Sequence, residues 1–353
     1  MLDVAIVGGG PAGLCMGHAL QRAVPGLQLQ VFERVNSYRP AGAGVGMAQC
    51  GLRAVQAINP ALCKEWQDMT LTIPEVLEFD STGKHLNTRQ LPPVAKAEGG
   101  GLAGWSHCLN DGPPSFAGKM SWRSRAPWKE GLPEWGTGAW QYFGGNRIGF
   151  IYPIPGGQTV VALAADATIA AERGVHYEPA VVLKNKDVAA SVQSSAGHGS
   201  GAEALERAKR VFADYAPEVQ HILELMDPST VLERGMYERG PEFFQDGSVW
   251  GHGSVTLIGD AAHPLCPTGM GMSMAMESCA ELAWHIQQGG INAESLRAYE
   301  RSRLPRVRTF VENETARYKS AFQESGADGR LHVPKLSKED YAAFQNSKEF
   351  HAL

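Results

Sequence analysis

The chain has 353 residues, 43% of them hydrophobic, and a formal charge of −5 at pH 7. This is ample for the core of one large or two intimate domains, and with no basic block behind the mild acidity neither nucleic acid nor an anionic membrane surface is an expected partner. No apolar run approaches the ~18 residues that span a bilayer, and Cys15, Cys50, Cys63, Cys108, Cys266 and Cys279 lack Cys-x-x-Cys spacing, so they read as reduced core thiols and not as a metal site or disulfide framework.

Val4 to Val7 reads as a short buried strand of the parallel-sheet kind, and it runs directly into Gly8-Gly9-Gly10-Pro11-Ala12-Gly13. Gly8 allows a tight turn, Gly10 lets a pyrophosphate approach the backbone, and Gly13 lets the next helix pack on the strand. A helix is expected from Leu14 to Ala23, then a second strand from Leu27 to Phe32. That strand ends in Glu33, about 20 residues beyond the third glycine, where a ribose-binding acid belongs. The pattern predicts dinucleotide binding by Gly8, Gly10, Pro11, Ala12, Gly13, Glu33 and the adjacent Arg34, and an acid at that position favours a free 2′-hydroxyl. Because the first strand begins almost at Met1, no leader is expected and the protein is expected in the cytoplasm.

From about Gly118 to Asp166 short strand-like runs alternate with Gly and Pro turns, rich in Trp122, Trp128, Trp135, Trp140, Tyr142, Phe143 and Tyr152. Such rings fill the core of a twisted sheet, while the other face of the same strands is free to shape a pocket for a flat substrate. Ser194 to Gly201 reads as a loop entering a helix from Ala202 to Ala213. Val255-Thr-Leu-Ile-Gly-Asp-Ala-Ala-His-Pro264 reads as an apolar strand ending at Gly259-Asp260. A carboxylate there either caps a helix or holds a polyol hydroxyl beside free backbone N–H groups. His263 is expected to make a structural hydrogen bond, because no other metal ligand stands near it.

Taken together, these motifs resemble the class A flavoprotein monooxygenases, the group of p-hydroxybenzoate hydroxylase, salicylate hydroxylase and zeaxanthin epoxidase. Arg39 to Met47, which includes Gly44, is similar to the family's Gly-Ala-Gly segment beside the flavin, followed by a helix from Gly51 to Ile58. Met120-Ser121-Trp122-Arg123 resembles its Trp-Arg strand, Tyr152-Pro153-Ile154 its Tyr-Pro strand, and Tyr237 to Pro241 its Arg-x-Pro segment. Pro267-Thr268-Gly269-Met270-Gly271 leads into a helix containing Glu277, and Tyr299 to Arg306 is similar to the closing Tyr-Glu-x-x-Arg-x-x-Arg helix. The family commonly has Gln where Met270 stands and Asn near Ser273.

The resemblance implies an α/β (α+β) fold. A Rossmann-like, glutathione-reductase-like FAD-binding domain with a parallel sheet carries an interleaved mixed β-sheet substrate domain and C-terminal helices. The expected divisions are 1–110 for the first, incomplete part of the FAD-binding domain, 111–240 for the substrate-domain sheet and helices, and 241–353 for the returning strand and C-terminal helices. It adds Gly44, Gly259, Asp260, Pro267, Gly269, Gly271 and Met272 to the FAD-binding residues. Asp260 would hold the ribityl chain, and the helix starting near Gly269 would point at the pyrimidine end of the flavin.

One piece of the family pattern is missing. A further sheet strand ending in Gly-Ala-Asp-Gly, with Ser and Arg after it, belongs between the first helices and the Trp-Arg strand. Here Gly99 to Leu109 passes almost directly to Asn110–Gly118, and the chain is several dozen residues shorter than the pattern. Gly326-Ala327-Asp328-Gly329 has the tetrapeptide but follows a polar helix, so it reads as a turn, as does Asn110-Asp111-Gly112. Removing a central strand exposes neighbouring edges and the apolar face above them.

The implied activity is an FAD-dependent monooxygenase using NADPH or NADH and O2. It would hydroxylate or epoxidise an aromatic or hydrophobic small molecule through a flavin C4a-hydroperoxide, with no metal. The cofactor does the chemistry, and the protein binds, orients and dries the site, so no catalytic side chain is assigned. Two alternatives stand beside it: another FAD-dependent oxidoreductase on the same scaffold, against whose halogenase branch the absence of Trp-x-Trp-x-Ile-Pro argues, and a truncated, catalytically silent FAD-binding homologue, which the missing strand favours. The oligomeric state, the choice between NADH and NADPH and the individual substrate stay open.

Overall fold

The computed structural model describes residues 2–36, 44–90, 96–98, 115–127, 138–177, 200–239, 241–264, 269–323 and 350–353. At the N-terminus β1 (Val4–Val7) and β2 (Leu29–Phe32) pair in parallel, with Val4 opposite Leu29 and Val7 opposite Phe32. Between them α1 (Pro11–Ala23) starts directly after Gly10, with Pro11 in the first turn, where the missing N–H costs nothing. Its apolar stripe, Cys15, Met16, Ala19, Leu20 and Ala23, is buried. Gly17 lets the helix lie close on the sheet, since a Cβ there would already touch Ile6, Leu29 and Val31 at 3.6–3.7 Å.

The core beside this unit is helical. α2 (Gln49–Ile58) and α3 (Pro60–Asp68) follow β3 (Gly44–Gly46), which pairs antiparallel with β6 (Lys96–Glu98). Asn59 caps α3 by accepting the N–H groups of Ala61 and Leu62. α7 (Gly271–Gly289) is buried almost all round through Ala283, as a helix enclosed by α1, α2 and α8 (Ala293–Gln323) must be. Met16, Leu20, Val55, Ile58, Met274, Leu282, Tyr299 and Val307 meet in this core.

The second body is a seven-stranded mixed sheet in the order β11-β7-β10-β9-β8-β4-β5. It comprises β4 (Glu75–Asp80), β5 (His85–Gln90), β7 (Ser115–Pro127), β8 (Ala139–Gly144), β9 (Arg147–Ile154), β10 (Gln158–Asp166) and β11 (Leu232–Glu238). Only the β4–β8 pairing is parallel. The sheet thus takes β4 and β5 from ahead of residue 111. Alternate residues give it two faces. On one, Trp122, Tyr142, Ile151, Val161 and Leu163 pack on α4 (Ala167–Glu172), α5 (Gly201–Val211) and α6 (Pro217–Leu225) through Ala170, Leu205, Phe212, Val219 and Ile222. A capping box of Ser200 and Glu203 starts α5, one residue ahead of the sequence expectation. Trp128 and Trp135 lie outside the described residues.

The N-terminal sheet departs from expectation. Among the described residues β1 has β2 as its sole partner, and Val7, expected in a buried strand, is 87% exposed. Of the four residues of β1 only Ile6 is fully buried. Val255–Ile258, expected as a strand, is extended but joins no ladder among the described residues. Arg297 donates to the Val255 carbonyl (2.7 Å) and the Tyr299 hydroxyl to the Leu257 carbonyl (3.2 Å). Among the described residues no parallel neighbour lies beside either segment, and at Val255–Ile258 side chains of α8 take up carbonyls that a ladder would satisfy. The join at 99–114 and the two expected turns, at 110–112 and 326–329, lie outside the described residues.

Candidate functional site

The glycine turn is shaped by backbone geometry. Gly8 takes φ +107°, a region closed to side-chain-bearing residues, and Gly13 faces its carbonyl so closely that a Cβ would stand 1.9 Å from the Gly8 oxygen. A Cβ on Gly8 or Gly10 would instead meet open space. Beside these open positions at the start of α1, Glu33 accepts from the Gly9 N–H (2.7 Å) and the Val35 N–H (2.9 Å). The Val35 and Gly9 bonds hold the Glu33 carboxyl below the usual range. Each oxygen retains a lone pair for a further donor. Arg34 follows in an exposed bend.

Residues 259–261 form a single 3-10 turn in place of a strand end. Gly259 at φ +56° allows close approach, because a Cβ would lie 3.0 Å from the Ala12 Cβ and 3.4 Å from that of Ala275. Cys279 on α7 donates to the Ala12 carbonyl at 3.3 Å. Ala12 is thus where the N-terminal turn, the Gly259-Asp260 turn and α7 converge. The Asp260 carboxylate is open to solvent, yet protein crowds it from behind, and this desolvation raises its pKa against the opposing pull of Arg123. It makes no hydrogen bond among the described residues, and Oδ1 lies 3.7 Å from the Cβ position of Gly271, at the start of α7. Gly269 (φ +81°) is exposed with open space before it, Met270 is buried and Met272 half-buried. Pro267 lies outside the described residues, and Gly44 sits in β3, at the mouth of α2.

Beneath α7 lies a buried polar node. Glu277 and Arg303 are both fully buried and pair at 2.6 Å, and Arg306 reaches both carboxylate oxygens of Glu277 at 2.7 Å. Burial pushes the Glu277 carboxyl up, but Arg303 and Arg306 outweigh it and hold the group at about 2. Arg303 also donates to the Met274 carbonyl (2.9 Å) and to Ser278 Oγ (3.2 Å). His263, fully buried, places Nε2 3.0 Å from Ser278 Oγ, and burial, helped by Arg303, lowers its pKa to about 3. Ser278 already donates to the Met274 carbonyl, so the His263 Nε2 is the donor and the ring is neutral. Ser273 Oγ accepts the Ala48 N–H at 2.8 Å and ties α7 to α2. Cys50 joins the node beside Glu277, and burial followed by that carboxylate pushes its thiol up to about 12.

The second face of the seven-stranded sheet carries an opening. Across β7, β10 and β9 the register sets Arg125, Val160 and Tyr152 in one row, Arg123, Ala162 and Phe150 in the next, and Ser121, Ala164 and Ile148 in a third. The outer rows are closed, apart from the half-buried Arg125, while Arg123, Ala162 and Phe150 are all half-exposed. A small residue between an arginine and an aromatic ring leaves a shallow trough at the sheet centre. Phe150 and Tyr152 form its aromatic side, with ring centroids 5.1 Å apart. The charge of Arg123 acts on Asp260, Tyr152 and Arg234, so the trough and the Gly259-Asp260 turn share one electrostatic environment.

Sequence reasoning found the turn, Glu33 and Asp260, and the structure brings the two distant glycine turns together at Ala12. It did not find the trough. The signal available was the alternation in β10, where Ala162 and Ala164 share a face, but the partners across from them depend on a register that sequence does not reveal.

Residues 247–314 match a family model described as FAD binding domain. The chain is 34% identical over 113 residues to a chloroplastic zeaxanthin epoxidase of Solanum lycopersicum, covering 29% of this chain and 16% of that protein. It therefore spans about a sixth of the length of the zeaxanthin epoxidases it matches. Over 375 residues it is 24% identical to aurachin C monooxygenase/isomerase of Stigmatella aurantiaca, covering 88% of this chain and 87% of the relative. Klebsiella pneumoniae HpxO, in complex with FAD and uric acid, superposes with a TM-score of 0.69 at 19% identity, covering 91% of this chain and 89% of that one. PqsL of P. aeruginosa, in complex with 2-aminobenzoylacetate, gives 0.63 at 15% identity, covering 91% and 97%. These superpositions establish the mixed α/β fold.

Proposed function

We propose that this chain, a member of the class A FAD-dependent monooxygenase family, binds FAD across the junction at Ala12 and oxygenates a flat small molecule held in the sheet trough, using NADH or NADPH and O2. The observation that carries the proposal is the meeting at Ala12 of the N-terminal glycine turn, the Gly259-Asp260 turn and α7, with Glu33 bonded to the first turn and the Asp260 carboxylate close to the start of α7. The residues present suit the cofactor: open space before Gly8 and Gly10 admits a pyrophosphate onto the N-terminus of α1. Glu33 has lone pairs left for a ribose, and the Asp260 carboxylate is unbonded among the described residues and available to a polyol. Arg34, Gly44, Gly259, Gly269, Gly271 and Met272 would complete the contacts, with Pro267 leading into them.

When bound, FAD would supply the electron transfer and oxygen activation. The chain's own part is positional. The start of α7 presents backbone N–H groups to negative charge, and the node of Glu277, Arg303 and Arg306 fixes that helix against α2 and α8. Neutral His263 lies sealed under the turn and holds it by a hydrogen bond, outside the chemistry. The half-exposed row Arg123, Ala162 and Phe150 shapes the floor on which a ring would lie.

A second reading is favoured by a specific observation: among the described residues β1 pairs with β2 alone, which fits a catalytically silent relative that holds FAD weakly. A visible spectrum of the purified protein decides first, since a flavin absorbance band is expected and its absence after incubation with FAD would sink the proposal. Substrate-stimulated NAD(P)H oxidation with an oxygenated product would then rule out the silent reading.

A further inference from the structure

We infer that the interior beneath the Gly259-Asp260 turn holds a binding site for one water molecule, gripped between the indole N–H of Trp250 and the unprotonated ring nitrogen of His263, and that this water fastens the turn to the segment leading into it. Both side chains are sealed: Trp250 is 3% exposed and His263 has no exposed surface. Their rings are neighbours, inclined by 54° with centroids 5.8 Å apart. Trp250 Nε1 and His263 Nδ1 nevertheless each lack a hydrogen-bond partner in the chain, and neither residue has a further polar contact. Buried polar atoms are rarely left in that condition, because the lost solvation is not returned.

The two orphaned atoms are of opposite kind. An indole N–H only donates. On His263, Nε2 is the donor toward Ser278 Oγ, whose own proton goes to the Met274 carbonyl, so Nδ1 carries a bare lone pair. A single water accepts from the first and donates to the second, and an enclosed donor–acceptor pair of this sort is a setting in which internal water is held. An ion suits the site poorly: the indole N–H opposes a cation, as does the charge of Arg303, which reaches His263, and the lone pair of Nδ1 opposes an anion. Tyr299 stands 6.0 Å from the Trp250 ring, but its hydroxyl donates to the Leu257 carbonyl. Trp250 precedes the extended run Val255–Ile258, while His263 lies three residues past Asp260 and bonds its backbone N–H to the Gly259 carbonyl at 2.9 Å. The water thus closes the stretch 250–263 on itself, where no ladder does so among the described residues.

A crystal structure that resolves solvent should place a water within about 3.2 Å of both nitrogens. In solution, with tryptophan labelled by nitrogen-15, magnetisation transfer from water to the indole protons is measured. The Trp250 signal, identified by its loss in Trp250→Phe, should show transfer from a bound water, whereas the buried Trp122, whose indole N–H donates to Glu233 at 2.7 Å, should show none. Trp250→Phe and His263→Leu should each raise the unfolding constant in urea about ten-fold, as expected when one member of a buried hydrogen-bonded chain is left unsatisfied. The double variant removes both members, so its unfolding constant should fall short of the product of the two single effects by about five-fold. A direct contact between Trp250 Nε1 and His263 Nδ1 with no water between them, an indole proton that receives nothing from water, or single effects that simply multiply would overturn the inference. The first two readings use the unaltered chain and so stand even where a variant does not fold.

Discussion

Glu277→Gln probes the node beneath α7. In the native chain Glu277 and Arg303 have no exposed side-chain surface and pair at 2.6 Å, while Arg306 holds both carboxylate oxygens. Removing the negative charge leaves a buried guanidinium facing a neutral amide, for which a loss of about 3–5 kcal/mol is expected. The effect has a pH signature. The carboxyl stands at about 2 in the folded chain against 4.5 in its absence, a displacement worth about 3 kcal/mol. Because the folded value is depressed, that stability is complete above about pH 5 and drains away as the pH falls toward 2. Urea denaturation followed by circular dichroism from pH 7 to pH 3 should therefore show the native protein converging on the variant as acid is added. Asp214, also held near 2 by Arg147, contributes equally to both proteins and cancels from the difference. A gap between the two that stays constant over this range would refute the assignment. Glu277→Asp, which keeps the charge and shortens the reach, should fall between them.

Four further outcomes follow from geometry. Gly13→Ala should cost more than 2 kcal/mol in denaturant titration, because its Cβ would stand 1.9 Å from the Gly8 oxygen. Gly10→Ala meets open space and should leave stability within about 0.5 kcal/mol while weakening FAD binding by fluorescence titration at least ten-fold; equal losses in both variants would undo the distinction. Glu33→Ala should weaken FAD about 10- to 100-fold, as expected for a charged acceptor, with its largest effect on the adenosine half, readable as AMP competition. Val7→Lys, at 87% exposure among the described residues, should change stability by less than about 0.5 kcal/mol, whereas a loss of 2 kcal/mol would mean that this side chain is covered.

What could be read from the sequence was local. Gly8 to Gly13, α1 and the acid at Glu33 obey spacing rules that depend on one strand-turn-helix unit, so the observed elements fall within two or three residues of expectation. The same holds for α5, whose observed ends lie within two residues of expectation. Partnership across the chain was less legible. Val255–Ile258 has strand composition, and composition describes a segment's preference, whereas a ladder requires a neighbour that this chain does not present among its described residues. Arg123 was expected in a Trp-Arg strand, and only the register with Ala162 and Phe150 sets it in a half-exposed row. His263 was expected to be structural, and the Ser278 contact and full burial account for it.

The tethering of Val255–Ile258 bears on how the cleft moves. Its amide protons lack the protection of a ladder, and its carbonyls hang on two side chains of one helix, Arg297 and Tyr299. Native-state hydrogen exchange should find these amides opening well before those of α7, as a small unit whose release costs far less than global unfolding. Asp260 rides at the end of that unit, so any ligand that engages its carboxylate would slow exchange four residues upstream, making the segment an isotopic reporter of occupancy that needs no turnover.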